Sequence, residues 1–409
     1  MLARPYYPCH SHAHCDRSHV IREVVEQEMS HYDVIVIGGG IAGVSIGFEL
    51  SRTATVCLLE MESTLAFHTT GRSAATFLET YGGPEIRALT TGSREFLENP
   101  PEFFESELMT PRPLLQFAKQ GRGAVIEQLH ADVLPLVPDA ELLGPDEVAA
   151  LFPVVRPGYV ERGMYEPGAM EMDVAGLHQG YVRGLKANKG EIVKSAPVVG
   201  LTRGPESWTV DTADGERRSA AAIVDAAGAW GDVVAEMAGA KPVGLTPLRR
   251  TIFMVNSPQG AQTKDLPIFG DIDQSFYVKP EGAQFLCSPA DETPCPPMDA
   301  KADELEIARA IDEINAATTL NARSVTTSWA GLRSFVPDRN FVVGPDSDVP
   351  GFHWFLGQGG YGIQTAPAAA RVGAALVRGE ELPADLVERG LDAAKLAPHR
   401  PGMSVSAGH

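Results

Sequence analysis

The sequence predicts an α/β fold in which a Rossmann-like dinucleotide-binding domain carries an inserted domain built on a mixed or antiparallel sheet. Three observations support this fold class. The segment 33–43 reads DVIVIGGGIAG, a strand-like apolar run followed by a glycine-rich turn and a helix start. A second apolar run ends in an acidic residue at position 60. A second glycine-rich segment, 357–364, again separates an apolar run from a helix-like stretch.

The glycines of the first segment have separate roles in a dinucleotide site. Gly38 permits the tight turn, Gly40 lets the backbone approach a pyrophosphate, and Gly43 lets the helix pack on the strand. The helix starts at Ile41 and Ala42, where free N–H groups and the helix dipole favour phosphate. A glycine-rich turn without a ligand is the alternative, and the strand and helix around the motif make it the weaker interpretation.

Glu60 indicates the chemistry of the sugar. It ends the apolar strand 55–59 and lies 17 residues after Gly43. A carboxylate at this position accepts hydrogen bonds from a ribose 2′-hydroxyl, which favours a dinucleotide without a 2′-phosphate. The motif itself is compatible with both NAD and FAD.

Composition predicts a soluble enzyme of the cytoplasm. The 409 residues are 44% hydrophobic, which suffices for a large core and favours two domains. A net charge of −19 argues against nucleic acid or an anionic membrane surface as the main partner. No stretch approaches the roughly 18 apolar residues of a transmembrane span. Cys57 is expected as a buried free thiol, and a disulfide framework is not expected from five cysteines at positions 9, 15, 57, 287 and 295.

Residues 1–28 precede the first strand and carry an unusual cluster, Cys9-His-Ser-His-Ala-His-Cys15. Five soft ligands so close together could bind zinc or copper. Alternating histidines on a short tail, however, lack the spacing of a structural zinc site. We therefore predict a disordered extension without a metal site, and a fold that begins near Met29.

The middle of the chain predicts further α/β elements. Helical periodicity over 174–189 predicts a helix. Gly176, Gly180 and Gly184 lie along one side of it and are expected to allow close packing against the sheet. Residues 221–228 predict another buried strand that ends in a small-residue turn.

Three short segments have a different character. Residues 249–255, 275–279 and 284–288 have the composition of strands, with turn residues between them. They predict an antiparallel sheet inserted into the nucleotide-binding domain. One surface helix is predicted at 303–319.

The second glycine-rich segment favours FAD over NAD. Residues 357–364 follow the apolar strand 352–356 and open the helix 365–377. One pyrophosphate does not need two such turns, whereas a reduced flavin gathers negative charge at N1 and O2 that a helix N-terminus stabilises. A turn that serves close helix packing is the alternative.

The predicted architecture is thus a Rossmann-like FAD-binding domain with an inserted mixed or antiparallel-sheet substrate domain. We expect the disordered extension at 1–28, a discontinuous FAD-binding domain at 29–110, 170–244 and 322–398, a substrate-binding domain at 111–169 and 245–321, and a C-terminal tail at 399–409.

Five motifs in order resemble the D-amino-acid oxidase superfamily of flavoproteins, most closely the bacterial D-arginine dehydrogenases: GGGIAG at 38–43, TGRSAA at 70–75, AAGAW at 226–230, WAGLR at 329–333 and QGGYGIQ at 358–364. The resemblance extends from about residue 29 to residue 398. It implies noncovalent FAD and oxidation of a Cα–N bond. We expect cofactor contacts at Gly38, Gly40, Ile41, Ala42, Gly43, Glu60, Thr70, Arg72, Ser73, Ala74, Val199, Ala227, Gly228, Trp230, Gly331, Arg333, Gly359, Gly360, Tyr361, Gly362, Ile363 and Gln364.

Arginines are the candidate ligands of an amino-acid carboxylate, because their planar fork binds it through two hydrogen bonds. Arg333 follows Trp-Ala-Gly-Leu in a predicted turn, and Arg249 and Arg250 begin a predicted strand. Surface ion pairs are the alternative role for each arginine. The resemblance places Arg250 and Arg333 on the substrate carboxylate, with Tyr81 and Tyr277 as hydroxyl donors beside it.

No protein base is obviously required for this chemistry. If the amine binds in its neutral form, its lone pair assists as the Cα hydrogen leaves as hydride to flavin N5. The product is an imino acid. Its hydrolysis gives a 2-oxo acid and ammonia.

The chain departs from the arginine-selective pattern in its expected pocket. Leu114 stands where those enzymes have a glutamate for the substrate guanidinium, and Thr76 and Leu78 replace a histidine and a threonine. Because a buried guanidinium without a partner is costly, we expect an apolar D-amino acid or a small secondary amine to be preferred over D-arginine. The expected pocket residues are Thr76, Leu78, Leu114, Gly331 and Gln364.

Other functions remain open at this point. Glycine, sarcosine or proline-type amine oxidation uses a similar carboxylate clamp. A 2-hydroxy-acid dehydrogenase would need a base, for which His68 is a candidate. A noncatalytic flavin-binding subunit, or a metal-binding protein built around the histidine-rich tail, is a further class. The sequence does not indicate whether O2 or a quinone accepts the electrons, nor the oligomeric state.

Overall fold

Two large β-sheets and a small third one form the framework of the protein in the computed structural model, which describes residues 29–258 and 265–403. Within these ranges the first sheet has eight strands, the second nine and the third three. This is the predicted α/β architecture with mixed sheets. The predicted extension and its Cys9–Cys15 cluster lie outside the described residues.

The secondary structure of the described residues is as follows. The strands are β1 (Ser30–Ile37), β2 (Val56–Leu59), β3 (Thr76–Phe77), β4 (Met109–Pro111), β5 (Leu114–Lys119), β6 (Glu141–Leu143), β7 (Val160–Glu166), β8 (Met170–Met172), β9 (Glu191–Val193), β10 (Val198–Arg203), β11 (Trp208–Thr212), β12 (Arg217–Asp225), β13 (Thr246–Asn256), β14 (Ile268–Asp271), β15 (Tyr277–Glu281), β16 (Gln284–Ser288), β17 (Thr293–Pro294), β18 (Val325–Phe335), β19 (Val342–Pro345) and β20 (Phe352–Leu356). The helices are α1 (Ile41–Ser51), α2 (Pro84–Glu98), α3 (Gly123–Val133), α4 (Pro145–Leu151), α5 (Val174–Ala187), α6 (Gly231–Met237), α7 (Glu304–Ala317), α8 (Gly362–Val377) and α9 (Ala384–Glu388).

β1 lies at the centre of the eight-stranded sheet, parallel to β2 on one side and to β12 on the other. The order is β10-β11-β12-β1-β2-β9, with β20 parallel to β12 and β19 antiparallel to β20. Val34 and Val36 face one core cluster, and Ile35 and Ile37 face another on the opposite side. Because both faces are covered, apolar residues are needed at each of these positions, as the sequence predicted.

Helices α1, α2, α5 and α8 pack together on one face of this sheet. α5 confirms the helix predicted at 174–189. The packing of its glycines differs from the prediction. A Cβ at Gly180 would lie 2.0 Å from the Phe104 ring, and one at Gly184 would lie 2.5 Å from the Phe48 ring. The glycines therefore make room for aromatic rings of α1 and of the loop before β4, not for the sheet.

The second sheet has the order β17-β13-β16-β15-β14-β5-β7-β6. β18 lies outside this order and pairs antiparallel with β13 over almost its whole length. It contains the strands predicted between residues 249 and 288. Most neighbouring strands run antiparallel, while β14 and β5 run parallel. Its core is aromatic, because Phe269 stacks on Phe117 and Phe152 at centroid distances of 4.2 and 4.3 Å. α4 and α7 pack against this sheet.

β18 corrects two expectations from the sequence. The segment 322–398 was assigned to the FAD-binding domain, but β18 pairs with β13 along its length and belongs to the second sheet. Arg333 was placed in a turn and instead lies within this strand. Ala330 and Gly331 give the stretch a weak strand signal, and the long-range pairing with β13 overrides it.

The start of the predicted C-terminal tail is packed on the protein. Arg400 is buried, and its guanidinium donates to both carboxylate oxygens of Asp338 at 2.7 Å. The remaining tail residues, 404–409, lie outside the described ranges.

Cys57 is fully buried in β2 as a free thiol, as predicted, and burial raises its pKa to about 12. Cys287 in β16 is likewise free and buried. Between residues 29 and 258 and between 265 and 403, no helix has the length and hydrophobicity to cross a membrane.

The close approach at Gly180 has a measurable consequence. We expect Gly180→Ala to lower the free energy of unfolding by about 1–3 kcal/mol, because the added methyl group overlaps the Phe104 ring. Gly47→Ala in α1 is the matched control, since its Cβ would meet Leu185 at 3.5 Å, an ordinary contact. The control should be neutral or gain up to about 1 kcal/mol from helix propensity. Urea unfolding followed by circular dichroism measures both, and equal midpoints for the two variants would contradict the packing argument.

Candidate active site

A deep cleft opens at the carboxyl ends of β1, β2 and β12 and extends to the second sheet. Its free volume, including the open mouth, is about 1610 Å³. Glycine-containing turns at 38–40, 226–228 and 357–360 line it. β13 and β18 add Arg250 and Arg333. Ligands of α/β folds bind at this end of the parallel strands.

Most residues predicted to contact the cofactor line this cleft. They are Gly38, Gly40, Ile41, Ala42, Glu60, Thr70, Arg72, Ser73, Ala74, Ala227, Gly228, Trp230, Gly331, Arg333, Gly359, Gly360, Gly362 and Ile363.

The first glycine turn has no space for side chains at two positions. Gly38 has a φ of +110°, and a Cβ there would lie 2.5 Å from the carbonyl oxygen of Ala226. A Cβ at Gly43 would lie 1.8 Å from the carbonyl oxygen of Gly38. Gly38 thus packs on the end of β12, and α1 packs on Gly38, which brings the start of α1 to the floor of the cleft.

Two side chains fix the peptide groups of Gly39 in this turn. Glu60 accepts the Gly39 N–H at 2.7 Å and, through its other oxygen, the Glu62 N–H at 2.8 Å. His178 of α5 donates from Nε2 to the Gly39 carbonyl at 3.0 Å. Burial lowers the pKa of His178, so the ring is neutral and carries its proton on Nε2. The sequence signal for Glu60 was local, whereas His178 was missed because it lies 139 residues away.

The N-termini of α1 and α8 both face the cleft. Neither helix has an acidic residue in its first turn or a hydrogen bond from its N-cap side chain. The Ile41 N–H donates to Thr70 Oγ1 at 2.9 Å. Two positively polarised helix ends in one cleft fit a ligand with a pyrophosphate and a second electron-rich group.

Arg72 joins the segment that follows β2 to the second sheet. Its guanidinium donates to the carbonyls of Ala300 and Ala330, both at 3.1 Å, and pairs with Asp299 at 2.6 Å. Trp329 donates from Nε1 to the Arg72 carbonyl at 3.1 Å. Arg72 therefore lines the cleft, but its guanidinium is already hydrogen-bonded to two carbonyls and paired with Asp299.

Arg250 and Arg333, hereafter the arginine pair, lie on adjacent antiparallel strands. Arg250 is opposite Gly331, so Arg333 is its diagonal neighbour on the same face. Burial and the charge of Arg333 lower the pKa of Arg250 to about 10, which still leaves both side chains protonated at neutral pH. Arg333 lies flat against Gly360, where a Cβ would come within 3.0 Å of Nη1. A side chain at position 360 would therefore displace the Arg333 guanidinium.

The arginine pair is incompletely neutralised. Arg250 donates to the Asp291 carbonyl at 2.9 Å and to Glu292 at 3.1 Å. Arg333 has a long contact of 3.5 Å to the hydroxyl of Tyr81, and in the described ranges no carboxylate lies within ion-pair distance of it. An excess of positive charge therefore faces the cleft, which suits an anionic ligand group.

The predicted tyrosines lie beside the arginine pair. The Tyr81 ring packs on Tyr361, with 4.8 Å between centroids. Tyr277, on β15, packs against the cluster of Ile252, Met254 and Leu286 and interacts electrostatically with both arginines. The structure thus brings the four residues predicted for catalysis to one region.

Several predicted site residues lie elsewhere. The cleft lining does not include the predicted residues Gly43, Thr76, Leu78, Tyr81, Leu114, Tyr277, Tyr361 and Gln364. The predicted cofactor contact at Val199 is wrong, because Val199 is 57% exposed and Val198 lines the cleft instead. Alternate residues of a strand face opposite sides, so a shift of one position reverses the assignment.

Gln364 has a structural partner in place of the expected substrate contact. It is 2% exposed, and its amide accepts the Leu78 N–H at 3.2 Å and donates to the Leu78 carbonyl at 3.3 Å. It also donates to Thr90 Oγ1 at 2.8 Å. Gln364 therefore fastens the loop that follows β3. The predicted pocket residue Thr76 lies in β3 itself.

Leu78 and Leu114 pack together in a small apolar cluster with Ala169 and Ile268. Leu114 is buried. These residues form an apolar contact between the second sheet and the loop after β3. They lie outside the lining of the cleft, so their role as the wall of a substrate pocket stays a prediction.

His68, the candidate base for a 2-hydroxy acid, lines the cleft. Its Nε2 lies 3.0 Å from a carboxylate oxygen of Glu62, and its ring packs on Trp230 at 4.6 Å between centroids. A histidine already bound through Nε2 gives the 2-hydroxy-acid alternative no specific support.

The chain belongs to the DAO family of FAD dependent oxidoreductases, whose model matches residues 33–376. It is similar to FAD-dependent oxidoreductase domain-containing protein 1 of Bos taurus, with 25% identity over 413 aligned residues covering 84% of this chain and 81% of that protein. It is also similar to mitochondrial dimethylglycine dehydrogenase of Homo sapiens, with 25% identity over 389 residues and 87% of this chain covered. The chain spans 43% of the length of that relative.

Solved structures share the fold. Glycine oxidase from Geobacillus kaustophilus superimposes with a TM-score of 0.79 at 19% identity, covering 91% of this chain and 99% of that chain. L-proline dehydrogenase from P. horikoshii gives a TM-score of 0.76 at 18% identity, covering 88% and 99%. Membership of the DAO family makes the protein an FAD-dependent oxidoreductase. The two helix ends and the glycine turns of the cleft fit FAD.

Glu60 provides a test of the cofactor site. We expect Glu60→Gln to weaken FAD binding by about 10- to 100-fold, because an amide oxygen can accept only one of the two backbone N–H groups that the carboxylate accepts. Glu191→Gln is the control, since that carboxylate accepts from Tyr32 away from the cleft. Fluorescence titration of the apoprotein with FAD gives both dissociation constants. Unchanged FAD affinity in Glu60→Gln would show that this carboxylate does not organise the site.

Proposed function

We propose that the protein oxidises the Cα–N bond of a small amino acid, with an apolar D-amino acid preferred over D-arginine. The product is an imino acid that hydrolyses to a 2-oxo acid and ammonia. The observation that carries the proposal is the arginine pair, which presents uncompensated positive charge on the wall of an FAD cleft. A carboxylate is the substrate group that such a pair binds best.

The arginine pair and Tyr81 have a role in orientation. Bidentate hydrogen bonds from Arg333 fix the plane of a carboxylate, and the Tyr81 hydroxyl at 3.5 Å from Nη1 can donate to the same group. Fixing the carboxylate fixes the adjacent Cα, which removes most of the orientational freedom of the reacting bond. FAD supplies the acceptor for the hydride that leaves Cα.

The same positive charge acts on the substrate amine. Two guanidinium groups nearby disfavour an ammonium ion and favour the neutral amine, whose lone pair assists oxidation. A substrate that binds as the neutral amine has left its proton in water, so no protein base is needed to remove it. This is consistent with a site in which arginines and tyrosines lie beside the proposed substrate position and the carboxylate of Glu292 offsets only part of the positive charge.

The pocket wall supports selection of an apolar side chain. Leu78 and Leu114 offer no partner for a cationic group. The neighbouring carboxylate of Glu171 is already bound by Lys279 and, at 3.3 Å, by Arg112. A substrate guanidinium would therefore be desolvated without compensation.

Oxidation of glycine or of a secondary amine is the second candidate. It is favoured by the small apolar wall and by the shared fold with a glycine oxidase and an L-proline dehydrogenase. The same carboxylate clamp serves both candidates, so a substrate panel distinguishes them.

The panel is measured by anaerobic bleaching of the flavin with D-leucine, D-methionine, D-phenylalanine, D-arginine, L-proline, glycine, sarcosine and a 2-hydroxy acid. We expect kcat/KM for the apolar D-amino acids to exceed that for D-arginine by at least about tenfold, because of the unpaired guanidinium. Readmission of air shows whether O2 is the electron acceptor. A clear D-arginine preference would defeat the side-chain assignment, and absence of bleaching by all amines would defeat the proposed function.

Substitution of the arginine pair tests the clamp itself. We expect Arg333→Lys and Arg250→Lys each to lower kcat/KM by about 10- to 1000-fold, because lysine keeps the charge and loses the bidentate geometry. Arg249→Lys is the matched control, since Arg249 lies on the same strand and pairs with Asp303 at 2.5 Å, outside the cleft lining. Equal losses in all three variants would contradict a specific role for the pair.

A further inference from the structure

Residues 78–81, hereafter the 78–81 loop, are the first part of the connection from β3 to α2. They include two residues of the proposed site. Leu78 belongs to the pocket wall. Tyr81 contacts Arg333 and packs on Tyr361. The position of this loop therefore determines both the side-chain wall and the hydroxyl beside the carboxylate clamp.

A buried carboxyl group holds the middle of this loop. Glu166 ends β7 and is 1% exposed. One of its oxygens accepts the Glu79 N–H at 3.0 Å, and the other accepts the Thr80 hydroxyl at 2.5 Å. Gln364 holds the adjacent peptide groups of Leu78. The loop is thus fastened by a residue of the second sheet and a residue of α8.

We propose that Glu166 is a positioning residue of the active site, whose carboxylate fastens the 78–81 loop beside the arginine pair through hydrogen bonds that weaken when it takes up a proton. This inference rests on the proposed function for its effect on catalysis. The link between Glu166 and the loop is testable without substrate.

The protonation of Glu166 falls in an accessible pH range. Burial raises its pKa to about 7, against the opposing effect of the Thr80 and Glu79 hydrogen bonds. Glu79 is the nearby charge that acts on it, and Arg94 of α2 binds that carboxylate through two hydrogen bonds of 3.0 and 2.8 Å. Arg94 also donates to the Gly168 carbonyl at 3.3 Å, just beyond β7.

Protonation changes what the group can accept. The carboxylate accepts both loop donors, and each is a charge-assisted hydrogen bond. The protonated acid has one O–H that must itself donate, so the Thr80 hydroxyl has to turn round and accept. The hydrogen bonds from Thr80 and Glu79, which lower the pKa of Glu166 against the effect of burial, therefore strengthen as the pH rises through about 7.

The first experiment follows the pH dependence of kcat/KM for the best substrate of the panel. We expect the ratio of wild-type to Glu166→Gln kcat/KM to rise by about 3- to 10-fold between pH 6 and 8, mainly through KM, because the two hydrogen bonds to Glu166 become charge-assisted. Glu166→Gln mimics the neutral acid and should lack this step, whereas ionisation of the substrate amine changes kcat/KM of both proteins alike. Glu161→Gln is the control on the same strand, because that carboxylate accepts the Arg122 and Gly123 N–H groups at 3.0 Å in another turn. A ratio of wild-type to Glu166→Gln kcat/KM that stays constant with pH would overturn the proposal.

Thr80→Val gives a second, directional test. It removes a hydrogen bond to the charged form, so the pH midpoint of the step should move upward. A purely structural role of the Thr80–Glu166 contact would lower activity at all pH values without moving the midpoint. An unmoved midpoint therefore contradicts the proposal.

Hydrogen–deuterium exchange of the FAD-bound full chain separates this inference from the proposed function. At pD 8 the peptide containing residues 78–81 should exchange about 3- to 10-fold faster in Glu166→Gln than in the wild type, and a peptide containing residues 122–123 should not change. Equal exchange in the loop would overturn the inference even if the enzyme oxidises amino acids. Faster loop exchange in a protein that oxidises none of the panel would overturn the function alone.

Discussion

The proximity of two positive charges is the constraint on which the active site depends. Arg250 and Arg333 are fixed side by side because their strands, β13 and β18, pair along their whole length. Burial and their mutual repulsion lower the pKa of Arg250, and Glu292 offsets only part of the charge. An anion in the cleft relieves this repulsion and recovers the desolvation of both groups. Under the proposed function, the first requirement on a ligand is therefore a negatively charged group.

The relative position of cofactor site and arginine pair is set by contacts between the two sheets. Arg72, in the segment that follows the first glycine turn, bonds the carbonyls of Ala300 and Ala330. Trp329 bonds the Arg72 carbonyl in return. Gly360, two residues before α8, has no side chain, and the Arg333 guanidinium packs directly on it. The two sheets can thus be regarded as halves of one site, each incomplete without the other.

The parts of the site that the sequence predicted are those with local physical causes. The turn at Gly38 and Gly43, and the buried strand before it, follow from backbone sterics and coverage on both faces. Arg333 was misplaced in a turn because Gly331 weakens a strand that exists only through pairing with β13. Val199 was exchanged for Val198 because strand register is a property of the sheet.

Other contacts could not be predicted because their partners are distant in the chain. His178 reaches Gly39 across 139 residues, and Glu166 reaches Thr80 across 86. Nothing in the local sequence of these acceptors and donors marks them, since a single histidine or glutamate is usually a surface residue. Their roles follow only from burial and from the exact partner atoms.

The proposed carboxylate clamp and the proposed side-chain wall reside on separate elements of the protein. The arginine pair belongs to β13 and β18, whereas Leu114 begins β5 and Leu78 belongs to the 78–81 loop. Under the proposed function, substitutions at the wall alter which side chain is accepted without disturbing the hydrogen bonds to the carboxylate. The motifs around the glycine turns then identify the cofactor, Arg333 the anionic group, and positions 78 and 114 the substrate side chain.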